Sequence, residues 1–276
     1  MSEPLSDAAS MQRHFDELDS QGCTILEDML SPGQIEAAIV ALRQSYEEEH
    51  VSAHEPGTLR THNLTARAEV FREIIQLPRL VACMGYLLGG DYIISDMGAR
   101  SPAPGMHPQG LHRDGGKPVP NPPFNTHAVV PQAAQSMIAL AEFRVDNGAT
   151  RFVPGSHVRN IEADAVGPED EQLFLCPPGT ILVFDNRLLH GGGANNTGEV
   201  RYSIQGFCCR RTTRPFFDHT RSIPPAVVEK ATPLMRRLWG FSCQTMWEEG
   251  RRDFKLVEAP DAAPHFDYLR GIETES

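Results

Sequence analysis

Between Met11 and Leu18 apolar residues fall at helical spacing, and Gly22 to Leu26 then reads as a short strand. Ser31-Pro32 follows as an N-cap with proline at the first helical position of a segment running to about Glu49. Two more helical pieces fill the chain from about Ala66 to Gly89, split before Pro78 because the residue preceding a proline avoids helical geometry. From Asp91 the texture changes. Short β-prone runs, Tyr92 to Ser95, Met137 to Phe143, Ala149 to Val153, Thr180 to Phe184 and Val200 to Phe207, are separated by Pro or Gly clusters. That spacing marks an antiparallel sandwich or barrel and not alternating β-α units, and a jelly roll fits it best. After Ile223 helical patterning returns around Val227 to Trp239. With no internal repeat or long linker, residues 1–276 are expected to form one domain. Its mainly β core spans 91–210, between a helix-rich buttress at 1–90 and a helical extension at 211–276.

The 276 residues, 40% of them hydrophobic, suffice for a sizeable core. Lys and Arg number 25 against 36 Asp and Glu. A net charge of −11 argues against nucleic acid or an anionic membrane surface as the main partner, which leaves a small molecule. No apolar stretch approaches the roughly 18 residues of a membrane span. The opening MSEPLSDAAS is acidic where a signal peptide is basic and then apolar, so a soluble cytoplasmic protein is expected. Six scattered cysteines without a C-x-x-C pair suit reduced thiols, and adjacent Cys208 and Cys209 should pack on opposite faces of a strand. The charge is uneven, since residues 201–255 hold 11 Lys or Arg against 5 Asp or Glu. In that stretch Arg210, Arg211 and Arg214 either pair with the acidic N-terminal helices or a second subunit of a homodimer, or form a basic pocket mouth that attracts small anions.

His112-Arg113-Asp114 sets an imidazole and a carboxylate two residues apart, and on a strand such positions share a face from which both reach one metal ion. The triplet alone is a weak signal. With 11 His and 15 Asp in the chain, fewer than one His-x-Asp is expected by chance, yet three occur. His14-Phe15-Asp16 lies in a helical pattern, where such positions diverge, and His265-Phe266-Asp267 has no histidine after it. Only His112-Arg113-Asp114 combines a strand-compatible setting with the right follow-up, a β run at Thr180 to Phe184 with His190 beyond its end and Arg201 on the next run. Two histidines and a carboxylate make a facial triad that leaves three positions of an octahedral iron(II) ion open, as O2 chemistry requires. If 2-oxoglutarate fills two of these through its keto-acid end, its distal carboxylate calls for a buried bidentate cation, and Arg201 is the candidate. Arg201, Ser203 and Gln205 alternate with Val200, Tyr202 and Ile204, a polar strand face that suits either a cosubstrate pocket or solvent.

A wider set of motifs carries a resemblance. In chain order these are Gly22 to Leu26, Leu87-Leu-Gly89, Gln109-Gly-Leu-His-Arg-Asp114, Asn147-Gly-Ala-Thr-Arg-Phe-Val-Pro-Gly-Ser-His157, and Pro178-Gly-Thr180 through His190-Gly-Gly-Gly-Ala-Asn195 to Arg201. Together they resemble the phytanoyl-CoA dioxygenase family of non-haem iron(II), 2-oxoglutarate-dependent oxygenases, over roughly Asp16 to Phe207. The block from Asn147 to His157 is the most specific. The resemblance implies a cupin-like double-stranded β-helix in which His112, Asp114 and His190 bind iron and Arg201 anchors 2-oxoglutarate. Gln109 matches a position whose amide touches the cosubstrate. Asn63, in Arg60-Thr-His-Asn-Leu64, looks like a residue lining the active-site mouth, with a turn-forming asparagine as the alternative. Family members often carry Ser or Thr two residues after the distal histidine to bond 2-oxoglutarate; Gly192 stands there, and Ser203 is the candidate for the missing hydroxyl. His157 reads as a structural turn residue, and His62, His107 and His127 as loop or pocket-rim residues.

The activity so implied is oxidation of a small or medium metabolite, most simply hydroxylation, with desaturation or rearrangement as variants, coupled to release of succinate and carbon dioxide. Related halogenases lack the carboxylate that Asp114 supplies, which argues against chloride chemistry. A secondary-metabolite scaffold is preferred to a coenzyme A thioester, the acyl-CoA hydroxylase alternative. Met97, Met106, Phe124 in the Pro-rich loop Val119 to Pro131, Phe216 and Phe217 are its pocket candidates, or else plain core. Two other classes suit the same residues. A cupin-like zinc or manganese isomerase or hydrolase would need neither oxygen nor 2-oxoglutarate. A metal-free jelly-roll binding protein would not be stabilised by iron(II) and 2-oxoglutarate.

Overall fold

The computed structural model describes residues 8–48, 57–114, 130–159 and 161–241. Its helical part begins with α1 (Ala8–Gln21), α2 (Pro32–Glu48), α3 (Leu64–Arg67), α4 (Glu69–Ile75) and α5 (Pro78–Leu88). At the start of α2 the Ser31 Oγ accepts from the Gln34 N–H at 3.3 Å, and Gln34 Oε1 accepts from the Ser31 N–H at 3.1 Å. This reciprocal cap satisfies donors that a helix start leaves open, with Pro32 at the first helical position where no donor is needed. Pro78 opens α5 in the same way.

The strands are β1 (Cys23–Leu26), β2 (Thr58–Thr61), β3 (Ile93–Pro102), β4 (Ala133–Ala139), β5 (Thr150–Phe152), β6 (Gln172–Leu173), β7 (Ile181–Asp185), β8 (His190–Gly192) and β9 (Ser203–Cys209). They form a six-stranded sheet in the order β1-β7-β4-β9-β3-β2 and a three-stranded sheet β6-β5-β8, antiparallel throughout. Alternation along each strand sorts the core. On β7, Ile181 and Val183 pack under the helices, while Leu182 and Phe184 join Phe143, Phe152 and Phe174 in an inner cluster. On β4, Ile138 and Met137 divide in the same way. Chain segments beyond the β core add α6 (His219–Ser222), α7 (Pro225–Lys230) and α8 (Pro233–Leu238), and Met235, Leu238 and Trp239 extend the helix-side core.

The strands depart from the sequence pattern at several places, and β4, expected over Met137 to Phe143, lies at Ala133–Ala139. Strand β3, expected to span only Tyr92 to Ser95, runs ten residues and is buried along its whole length, because Asp96, Gly98, Arg100 and Ser101 hide it from a hydrophobicity reading. A bulge between Ile94 and Asp96 shifts its register, so that Ile94 and Met97 both reach the helix-side core. Strand β9 begins at Ser203, so Arg201 precedes it, and β2 is an edge strand that the pattern did not mark. Cys208 and Cys209 do fall into clusters on opposite faces, and the five described cysteines are free thiols. No helix among the described residues is long and apolar enough to cross a membrane.

Candidate active site

His112-Arg113-Asp114 does not form a regular strand. His112 makes a single antiparallel bridge with His190, each N–H donating to the other's carbonyl at 2.9 and 3.0 Å, which sets the two rings 4.6 Å apart. The Asp114 carboxylate lies between them, with Oδ1 3.7 Å from His112 Nε2 and Oδ2 3.6 Å from His190 Nε2. All three ligand atoms stand within 4.8 Å of one another. The His112 Nδ1 bonds the Gly110 carbonyl and the His190 Nδ1 bonds that of Leu188, both at 3.0 Å. A carbonyl only accepts, so both protons sit on Nδ1 and both Nε2 lone pairs face the centre, as metal ligation requires. Burial holds the His190 pKa below its ordinary value against the pull of Asp114, which keeps the ring neutral.

Two neighbours fix this group. Gln135, on the inner face of β4 beside Met137, donates to Asp114 Oδ2 at 2.6 Å. Arg113, between the two ligands, turns the other way and donates to the carbonyls of Arg187, Ile161, Ser156 and Arg159 at 2.8 to 3.2 Å.

The triad opens on a cavity of about 470 Å³, within the range of small-molecule sites. Arg201 lies in its wall, 3% exposed, with its guanidinium 3.8 Å over the Phe143 ring and with Nε and Nη1 lacking any hydrogen-bond partner. Burial, and then the charge of Arg100, pull its pKa down to about 9. A buried cation with orphaned donors, in the same cavity as two imidazoles and a carboxylate, fits a dianionic keto acid beside an iron(II) ion. Gln109 also lines the cavity, its Oε1 accepting from the Gly192 N–H at 2.9 Å.

A model of the family described as phytanoyl-CoA dioxygenase (PhyH) matches residues 18–203. The chain belongs to the phytanoyl-CoA dioxygenase family. Among similar proteins, dioxygenase trt7 of Aspergillus terreus is 28% identical over 235 residues, covering 81% of this chain and 82% of its own. The Fe(II)/2-oxoglutarate-dependent dioxygenase nvfF of Aspergillus novofumigatus is 29% identical over 244 residues, covering 80% and 78%. A solved structure, the non-heme alpha ketoglutarate dependent epimerase SnoN from nogalamycin biosynthesis, superposes with a TM-score of 0.61 at 19% identity, covering 74% of this chain and 84% of its own. The fold is thus the double-stranded β-helix, or jelly roll, and this phytanoyl-CoA dioxygenase family member is an oxidoreductase that uses iron(II), 2-oxoglutarate and O2 on a small-molecule substrate.

Other residues singled out in the sequence of this family member fall differently. Ser203 does not line the cavity: its buried hydroxyl donates to the Arg100 carbonyl at 2.7 Å, so it is committed to the sheet. Asn63 is a turn residue with φ of 52°, its N–H donating to Asp96 Oδ1 and its amide to Ser222 Oγ, while the preceding His62 lines the cavity and pairs with Asp96 at 2.7 Å. Met97 belongs to the helix-side core, and Met106 is buried with its sulphur accepting from Thr58, so neither shapes the pocket; Met137 does. Phe216 and Phe217 do line the mouth. The β3 bulge holds them there, since Ser95 Oγ accepts from the Phe216 N–H and the Ser95 carbonyl from that of Phe217. Phe124 and His127 lie outside the described residues. His157 is structural, packed against Gly22 with Nε2 bonding the Asp19 carbonyl, and His107 is exposed outside the cavity.

The basic cluster after β9 is not the mouth. Arg210 donates to the carbonyls of Pro131 and Leu87, Arg211 pairs with Asp91 at 3.1 Å, and Arg214 is exposed outside the cavity. Among the described residues, the arginines that do line the cavity are Arg60, Arg100 and Arg201. The first two, with Gln135 and Asp96, carry no sequence signal of their place in the site, because each is a lone polar residue without a spacing that singles it out, whereas His62 lies at the cavity as its pocket-rim reading expects.

Proposed function

We propose that this dioxygenase oxidises a partly apolar metabolite of small or medium size at a C–H bond, most simply by hydroxylation, within a natural-product pathway. His112, Asp114 and His190 are the iron ligands in this reading, and Arg201 and Gln109 hold 2-oxoglutarate. The observation that carries it is the orphaned, buried Arg201 guanidinium in the cavity onto which the triad opens. When bound together, iron(II) and 2-oxoglutarate would activate O2, the oxidant, with two of its four electrons coming from the keto acid as it breaks down to succinate and carbon dioxide and two from the substrate C–H bond. The chain's own residues do the rest. Gln135 and the two backbone carbonyls orient the ligands, Arg201 and Gln109 set the pose of the keto acid, and Phe207, Phe216 and Phe217 offer an apolar mouth that positions substrate. SnoN, which shares the fold, comes from nogalamycin biosynthesis, and that supports a natural-product substrate. Arg210, Arg211 and Arg214, the cluster that would have suited a coenzyme A thioester, lie off the cavity. The enzyme works as one soluble cytoplasmic domain, 1–276.

The test is succinate release with iron(II), 2-oxoglutarate and O2 across a panel of partly apolar metabolites and coenzyme A thioesters. Stimulation by a metabolite, abolished in Asp114→Ala, is the expected result. Stimulation by thioesters alone overturns the substrate class, and full activity in Asp114→Ala overturns the ligand assignment.

A further inference from the structure

Arg201, Ser203 and Gln205 alternate along the last segment of the β core. Arg201 enters the cavity with open donors, and Ser203 is spent on the Arg100 carbonyl. That leaves Gln205, which lies half-buried on β9 and lines the cavity. Among the described residues its side-chain amide has no hydrogen-bond partner.

The strand register explains why. Gln205 stands across from Gly98 on β3 and from Met137 on β4, and residues so paired share a face of the sheet. A Cβ on Gly98 would lie 2.8 Å from the Thr61 carbonyl and 3.1 Å from Asp96 Oδ2, so that position admits no side chain, while Met137 offers only a thioether, a weak acceptor. The polar groups nearby are committed: Gln135 to Asp114 Oδ2, and Asp96 to His62 and the Asn63 N–H. Gln135 is two residues from Met137, which makes it a diagonal neighbour of Gln205, at about 7–8 Å in a sheet. Gln205 is therefore one step from the amide that holds Asp114. The residues read as holding 2-oxoglutarate lie elsewhere, Arg201 four positions back along the chain and Gln109 bonded to Gly192 on the second sheet. A substrate that fills the cavity strips water from the Gln205 amide. Covering it with hydrocarbon leaves a donor and an acceptor unpaired, whereas an oxygen placed there removes that cost.

We infer that Gln205 selects the substrate, its Nε2 donating to an uncharged carbonyl or hydroxyl oxygen near the C–H bond that is oxidised. The inference rests on the proposed oxidation of a partly apolar metabolite and names the chemistry of that metabolite's polar part. An uncharged amide suits an uncharged oxygen, where a carboxylate calls for a cation.

The experiment is calorimetric titration of the protein loaded with nickel(II) and 2-oxoglutarate, using camphor, borneol and bornane as probes: a ketone, an alcohol and their hydrocarbon parent. The wild type is expected to bind camphor and borneol about tenfold more tightly than bornane. Gln205→Met keeps the volume and removes the amide, and should cut that preference to less than about twofold. Gln205→Glu loses the donor but keeps an acceptor, so it should weaken camphor more than borneol, which can donate. Equal affinity for the three probes in the wild type, binding of none of them, or an unchanged preference in both variants overturns the inference. So does a loss of 2-oxoglutarate affinity in Gln205→Met as large as the loss for camphor, which would place the amide at the cosubstrate. Succinate release separates the inference from the reading beneath it. Stimulation by hydrocarbon parents as strong as by ketones and alcohols defeats the selection by Gln205 and leaves the oxidation reading standing, and stimulation by no partly apolar metabolite defeats both.

Discussion

Gln135 Nε2 donates a 2.6 Å hydrogen bond to Asp114 Oδ2, the oxygen that faces His190. The carboxylate is about one-third exposed, so this amide is what keeps it from rotating toward water. Gln135→Met preserves volume and removes the donor. It is expected to lower metal affinity about 10–100-fold, as loss of a partner behind a ligand commonly does, with little change in the melting temperature of the metal-free protein. Nickel(II) titration checks this, and wild-type affinity in the variant would show the contact to be incidental.

Gly22 has φ of 79°, and a Cβ there would lie 2.4 Å from His157 Nδ1. Gly22→Ala therefore meets both a backbone and a packing penalty, together about 3 kcal/mol, or a fall in Tm of roughly 6–12 °C. Repeating the exchange in a His157→Ala background removes the ring, so a smaller fall is expected there. Equal falls in the two backgrounds would show that the contact does not matter.

His14 is buried, with Nδ1 bonded to Thr24 Oγ1 and Nε2 3.1 Å from Arg79 Nη2. Burial, then the Arg79 charge, lowers its pKa below 6.5. The unfolded chain takes up the proton first as pH falls, so the stabilisation is complete above about pH 6.5 and is lost progressively below it. Tm should drop between pH 7.5 and 5.5, and the drop should be shallower in His14→Gln. His157 and His219 are shifted in the same direction by burial, so part of the slope remains. An identical slope in His14→Gln would rule the residue out as a contributor.

Phe216 is 73% exposed at the cavity mouth and tilts against Phe207, with ring centres 5.1 Å apart. Phe216→Ala should leave stability within about 0.5 kcal/mol, as surface exchanges do, and leave 2-oxoglutarate binding unchanged. The effect is expected in KM for the oxidised substrate. A fall in Tm with KM unchanged would make the ring a structural element.

The convergence of His112, Asp114 and His190 is legible in the sequence because metal chemistry restricts both residue type and spacing, and few arrangements of His and Asp satisfy the two together. The polar shell around it is not. Gln135 sits in an Ala-Ala-Gln-Ser stretch ahead of the run expected to start at Met137, and only β4 pairing with β7 and β9 reveals that it is in a strand and which face it occupies. Arg100 is hidden by the same cause that makes β3 look short: a strand buried on both faces, whose inner face is polar because it lines a site, shows no alternation. Ser203 has the expected parity with Gln205, but parity cannot tell whether a hydroxyl turns to a ligand or to a neighbouring carbonyl, and the Arg100 carbonyl is nearer. In the helical buttress Pro32, Pro78 and the Ser31 cap mark helix starts by local chemistry alone, whereas the break at Ala68 that makes three helices of the expected two carries no such signal.

Arg113 shows that the residue between the two proximal ligands is not a free position in this chain. His112 has one bridge and Asp114 lies in a turn, so the backbone ladder does little to hold them, and four carbonyls gathered on one guanidinium take over that task. Those carbonyls come from residues 156, 159, 161 and 187, far apart in the chain from the triplet they steady. A designer who grafted His-x-Asp onto another β scaffold would transplant the ligands without their mount; the portable unit is the triplet together with the two remote loops that Arg113 clamps.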